Sequence, residues 1–153
     1  MLAPGDKVPD FKLTTVDGEP FTSADLAGKR AVFCFFPFAF SGVCSDQFSL
    51  YQEVAQDFAA QGAELFGISC DARWSQGAFA EQLGLTNMTM LSDFEPKTAV
   101  SEQFGVRHAG GFSERAVFIV EPDGTISWSY LSPTLGEFPG PNVLIDALSA
   151  KVA

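Results

Sequence analysis

The chain has little sulfur, histidine or positive charge. Its 153 residues include three cysteines and one histidine. Three unevenly spaced cysteines, Cys34, Cys44 and Cys70, supply neither a disulfide framework nor a zinc site, and one histidine, His108, cannot hold a metal alone. No second cysteine stands at C-x-x-C spacing from Cys44, which counts against a thiol–disulfide oxidoreductase. Nine Lys and Arg face nineteen Asp and Glu, a formal charge of −10. That balance disfavours a nucleic-acid partner, because phosphate binding needs clustered basic side chains. No apolar run approaches the ~20 residues of a membrane span, so no membrane partner is expected. The first residues, Met1 to Asp6, lack a basic segment followed by an apolar one, so no signal peptide is expected. There is no repeat, low-complexity tract or linker, and residues 1–153 are expected to form one domain. These features favour a soluble protein of a reducing cytoplasm.

Hydrophobic residues make up 46% of the chain, sixteen of them phenylalanine, enough for a substantial core. Asp17-Gly18 is a hairpin signal between Phe11 to Thr14 and Pro20 to Thr22. Ala31 to Phe36 has no polar alternation, as in a central strand buried on both faces. From Ser45 to Ala60, Phe48, Tyr51, Ala55 and Phe58 recur at helical spacing, which predicts one helix. Glu64 to Cys70 reads as a second strand, and Asp71 as the N-cap of a helix carrying Trp74, Ala78, Phe79 and Leu83. Met90 and Leu91 suggest a third strand. Pro96 fits the first turn of a helix ending at Gly105. Ala116 to Val120 and Thr125 to Tyr130 read as a hairpin about Pro122-Asp123-Gly124. Pro141 opens a last helix with Val143, Leu144, Ala147 and Leu148 inward. This order predicts a thioredoxin-like α/β fold, a central mixed sheet flanked by helices.

The chemistry is concentrated in Pro37 to Cys44, between the first buried strand and the following helix. The first N–H groups of a helix lack internal partners and carry partial positive charge, which favours a thiolate placed there. The thiolate is the attacking form. A free thiol has a pKa of about 8.5, and lowering it by about two and a half units raises the thiolate fraction roughly thirty-fold at neutral pH. Nucleophilicity falls by roughly ten-fold over the same interval, so placed donors must supply most of any large rate. Ser41 offers a hydroxyl, Gly42 and Val43 offer backbone N–H groups, and Pro37 can cover the sulfur from one side.

Pro37, Ser41 and Cys44 match the P-x-x-x-[T/S]-x-x-C signature of the peroxiredoxins. The flanking Phe35-Phe36, Leu91 to Phe94, Phe104 to Val106 and Ser113 to Gly124 also resemble that family, in the family's order. The closest likeness is to the one-cysteine alkyl hydroperoxide reductase E type. The resemblance implies that Cys44 attacks a peroxide and becomes a sulfenic acid. It also implies that Arg115 supports the thiolate and the peroxide oxygens. No cofactor is implied. A homodimer is, and so is reduction by a low-molecular-weight thiol or a thioredoxin-like protein, because two places where relatives keep a second thiol lack one. Two positions depart from the family. Ser41 stands where threonine is commoner, and Gln47 where many relatives have glutamate.

Other readings remain beside these. Cys34, among phenylalanines, reads as core. Cys70 reads as structural, with a resolving thiol as the alternative. His108 reads as a plain loop residue. Phe38 and Phe40 are expected either in the core or at an apolar substrate mouth. A thiol–disulfide oxidoreductase and a slow peroxide-sensing domain are the rival functions.

Overall fold

The computed structural model describes residues 1–152. Seven strands form one sheet in the order β2-β1-β5-β4-β3-β6-β7. They are β1 (Lys12–Thr15), β2 (Pro20–Thr22), β3 (Arg30–Phe35), β4 (Ala63–Ser69), β5 (Met88–Ser92), β6 (Ala116–Val120) and β7 (Ile126–Leu131). The helices are α1 (Gly42–Glu53), α2 (Ala55–Ala60), α3 (Arg73–Leu83), α4 (Ala99–Gln103) and α5 (Pro141–Val152). The central strands β3, β4 and β5 are parallel, while β6 runs antiparallel to β3 and β1 antiparallel to β5. This is the α/β architecture expected from the order of elements.

β3 is buried at all six positions: Arg30 at its start, then the apolar run from Ala31. Its alternating side chains serve two cores. Ala31, Phe33 and Phe35 join Phe66, Phe104 and Phe118 on one face of the sheet. Val32, Cys34 and Phe36 join Cys44, Phe48, Tyr51 and Phe79 on the other.

Several expectations are corrected. The helix predicted from Ser45 to Ala60 starts earlier, at Gly42, and is broken at Val54, whose φ of −111° and ψ of 25° leave helical geometry. The break lets α2 turn Phe58 into the core beside Ala63 and Leu65 of β4. Trp74 is 70% exposed; α3 buries Phe79, one of its expected apolar residues, together with Gln76. Pro96 lies before α4, because Thr98 at φ 61° delays the first helical residue to Ala99. Val143 is exposed, while Leu144 and Leu148 fill the inward face of α5. Asp71 is not an N-cap: Ala72 holds that position, and the Asp71 carboxylate turns elsewhere.

Candidate active site

The topology gathers distant residues at one end of the sheet. Parallel β3 and β4 pair Phe35 with Ile68, so the segments leaving both strands emerge side by side. Antiparallel β6 pairs Ala116 with Phe35, which puts Arg115 at the same end. The segment after β3 runs through Pro37 to Phe40 and enters α1 at Ser41, the N-cap, with Cys44 in the first turn. The first α1 backbone bond runs from the Ser45 N–H to the Ser41 carbonyl. The N–H groups of Gly42 and Val43 precede it, as every helix start requires.

Cys44 is fully buried, and Arg115 is 2% exposed. The Arg115 Nη2 donates to Cys44 Sγ at 3.1 Å, Nη1 to Gln47 Oε1 at 2.7 Å, and Nε to the Leu135 carbonyl at 3.1 Å. Gln47 Nε2 donates to Tyr51 Oη at 3.2 Å, and Tyr51 Oη to the Pro139 carbonyl at 2.6 Å. Gln47 therefore keeps a hydrogen bond to the guanidinium but brings no charge. Among the described residues the ion pairs are Arg30–Glu121 and His108–Glu114; no carboxylate pairs with Arg115. The Cys44 sulfur, the Gln47 amide oxygen and the Leu135 carbonyl are the three acceptors this buried cation meets. Burial pushes the Tyr51 hydroxyl well above the usual phenol range and keeps it a neutral donor.

A recess of about 260 Å³ lies over this arrangement, lined by Pro37, Phe38, Ser41, Gly42, Val43, Phe112, Arg115 and Leu135. Its lining is almost entirely apolar apart from Ser41 and Arg115. The Ser41 Oγ is buried with no hydrogen-bond partner. It caps no helix N–H and makes no bond to the sulfur, so a bound molecule is its available partner. Phe38 packs against Phe112 with ring centroids 5.1 Å apart, at the recess wall. Phe40 does not share that place. Its ring lies edge-on to Phe79 at 5.4 Å, outside the lining.

The other sulfur atoms differ in setting. Cys34 is fully buried in β3, and desolvation pushes its thiol far above the ordinary range. Cys70 is 3% exposed; burial, then the neighbouring Asp71 carboxylate, pushes its thiol up. Both shifts disfavour a thiolate. His108 stacks on Phe112 with ring centroids 4.3 Å apart, and it is absent from the recess lining. Sequence reasoning missed Tyr51 and Leu135, which hold the guanidinium and its partner. Tyr51 is seven residues after Cys44 on the buried face of the same helix, and that spacing was the available signal.

A thioredoxin-like sheet that sets a cysteine at a helix start under a buried guanidinium defines a class, the thiol-dependent peroxidases. A model of the AhpC/TSA family matches residues 4–129, and the chain belongs to that family. Alkyl hydroperoxide reductase E of Mycobacterium tuberculosis is 30% identical over 155 residues, covering all of both chains. A Caenorhabditis elegans protein named "Probable peroxiredoxin prdx-3" is 33% identical over 135 residues, 82% of this chain; the chain spans 59% of that protein's length. The fold matches that of Mycobacterium tuberculosis AhpC with a TM-score of 0.89 at 24% identity, over 100% of this chain and 94% of that one. The protein is a peroxiredoxin, an oxidoreductase that takes a peroxide substrate and a thiol reductant.

Proposed function

We propose that Cys44 is the peroxidatic cysteine of a one-cysteine cycle. Its thiolate attacks one peroxide oxygen; a sulfur–oxygen bond forms as the oxygen–oxygen bond breaks. The leaving oxygen takes a proton and departs as water or an alcohol, and Cys44, oxidised by two electrons, becomes a sulfenic acid. Arg115, the Ser41 hydroxyl and the Gly42 and Val43 N–H groups stabilise the charge that develops on oxygen. Pro37 covers the sulfur and brings no competing donor. One external thiol then attacks the sulfenic sulfur and releases water, and a second resolves the mixed disulfide to regenerate Cys44. A low-molecular-weight thiol or a thioredoxin-like protein fits that role.

The observation that carries this reading is the Arg115 guanidinium, buried without a carboxylate and donating to Cys44 Sγ at 3.1 Å. Because Cys44 is fully buried, a peroxide reaches it only as the recess wall parts. Phe38 and Leu135, 41% and 36% exposed, form the outer part of that wall. The paired burial and raised thiol of Cys70 support a cycle without an internal resolving thiol.

We read the chain as one domain that pairs as a homodimer, for which the exposed Phe38 and Phe40 offer apolar surface. A reducing compartment such as the cytoplasm suits a cycle that consumes free thiols. Rapid mixing with hydrogen peroxide and organic hydroperoxides, followed by tryptophan fluorescence, tests the reading. Wild type is expected to react many orders faster than free cysteine, and Cys44→Ser to lose the fast phase. A rate near that of free cysteine would favour a slow sensor instead. A Cys44–Cys70 disulfide after stoichiometric peroxide, seen by mass spectrometry, would overturn the one-cysteine cycle.

A further inference from the structure

We propose that Asp71 is a positioning residue for the Cys44 reaction: its carboxylate holds the segment between β3 and α1 in a backbone conformation that the segment's own residues disfavour. The inference rests on the reading of Cys44 as the attacking group.

The disfavoured conformation is at Phe40, whose φ is 68°. Among the described residues only Thr98 shares a positive φ without being glycine. In that region the Cβ of an L-residue crowds the following carbonyl oxygen. Phenylalanine lacks the short polar side chain that lets Asn or Asp settle there. Within the segment the Ser41 N–H reaches the Phe38 carbonyl at 3.5 Å, a long bond that closes this turn only weakly, so a firmer hold has to come from outside. The preceding residue supplies the handle: the Ala39 N–H donates to Asp71 Oδ2 at 2.7 Å. On the other side of Phe40 stands Ser41, where α1 begins. The strained residue thus lies between an anchored amide and a helix start. Its turn sets where the Ser41 hydroxyl, the Gly42 and Val43 N–H groups and Cys44 come to rest.

Asp71 is itself braced from three elements. Its Oδ2 also accepts from Ser69 Oγ at 2.6 Å, at the end of β4. Gln76 of α3 donates from Nε2 to Ser69 Oγ at 2.9 Å and to the Leu91 carbonyl of β5 at 2.8 Å. Ser92 Oγ of β5 donates to the Asp71 carbonyl at 2.6 Å. Ser69 and Gln76 are fully buried. An amide donating to a carboxylate makes a charge-assisted bond, stronger than a neutral one. The acceptor is fixed to the rigid part of the sheet, and the segment is fixed to the acceptor. Asp71 is absent from the recess lining, so it acts only through the backbone it holds.

The test is a double-mutant cycle on two reactions of Cys44: oxidation by hydrogen peroxide in rapid mixing, and alkylation by iodoacetamide read by mass spectrometry. Alkylation needs a reachable thiolate; oxidation also needs placed donors. Asp71→Ala is expected to lower the oxidation rate constant ten-fold or more, while alkylation falls by less than three-fold. Set against Phe40→Gly alone, adding Asp71→Ala is expected to lower oxidation by three-fold or less, because glycine adopts a positive φ without crowding. Asp71→Asn keeps an acceptor oxygen and is expected to restore oxidation to within three-fold of wild type. Should Asp71→Ala fail to fold, Ser69→Ala takes its place: it removes the brace and leaves the carboxylate, with a loss of three- to ten-fold that disappears beside Phe40→Gly. An indifferent Asp71→Ala, an equal loss in both reactions, or a loss that persists with glycine at position 40 would overturn the inference alone. A wild type no faster than free cysteine would overturn the reading of Cys44 and this inference with it.

Discussion

The two faces of the sheet draw on the same strands and bury different chemistry. On one face, Phe33, Phe35, Phe104 and Phe118 form a hydrocarbon cluster whose ring centroids lie 5.1–6.4 Å apart at tilted and edge-on angles. On the other, Cys34, Cys44 and Tyr51 share the core with Phe36 and Phe48, and Arg115 reaches the sulfur from the end of β6. The four rings of that cluster have no polar atom to satisfy and answer only to packing. The second spends burial on a guanidinium, and each of its three nitrogens donates to a named acceptor. A defect in the first should cost stability, and a defect in the second should cost rate.

The largest expected effect lies on the hydrocarbon face. Phe104 is fully buried against Phe11, Phe33, Phe35 and Phe118. Phe104→Ala should cost about 3–5 kcal/mol in chemical denaturation, or roughly 6–20 °C in Tm. Below its transition the variant should still oxidise Cys44 within about three-fold of wild type; a comparable loss of rate would erase the contrast between the faces. Next comes Arg115→Ala, which should slow oxidation at least ten-fold, about 1.4 kcal/mol of barrier. Rapid mixing measures it, and a rate equal to wild type would remove the guanidinium from the chemistry.

The smallest effect sharpens the comparison at a polar group that serves structure only. Asp93 is 3% exposed and accepts from the Val100 and Ser101 N–H groups and from Ser101 Oγ. Desolvation outweighs these donors and pushes its carboxyl above the usual range. The folded state then binds a proton more readily than the unfolded one, so this group's contribution to stability falls as pH rises through the window above the ordinary carboxylate value of about 3.9. Asp93→Asn should flatten that part of the stability–pH curve by less than about 1.4 kcal/mol per pH unit, with oxidation unchanged. Parallel curves for variant and wild type would refute the assignment.

Much of the architecture was legible because its signals are local. The unbroken apolar run before Phe36, the hairpin about Pro122-Asp123-Gly124 and the glycine ending α3 depend on neighbours a few residues away. The misreadings share one cause. Asp71 looked like a cap, Trp74 fell at helical spacing with Ala78, Val143 looked inward, and Ser45 to Ala60 looked continuous, because periodicity reports a stripe but not which neighbour it meets. Phe40 belonged to the same motif segment as Phe38, yet its backbone turns its ring to Phe79 while Phe38 faces the recess.

The sequence by itself determined a thioredoxin-like α/β chain with one cysteine at a strand-to-helix junction, flanked by Pro37 and Ser41. Those residues are neighbours along the chain, and short-range geometry suffices to group them. Arg115, 71 residues from Cys44, entered only through family likeness, and Asp71, 32 residues from Ala39, was misassigned. Only the tertiary structure decided that Arg115 lies buried without a carboxylate, that Gln47 and Tyr51 hold it in line, and that Asp71 grips the segment ahead of the sulfur. Strand order brings such partners together, and strand order follows from how both faces pack at once, which no window of sequence contains.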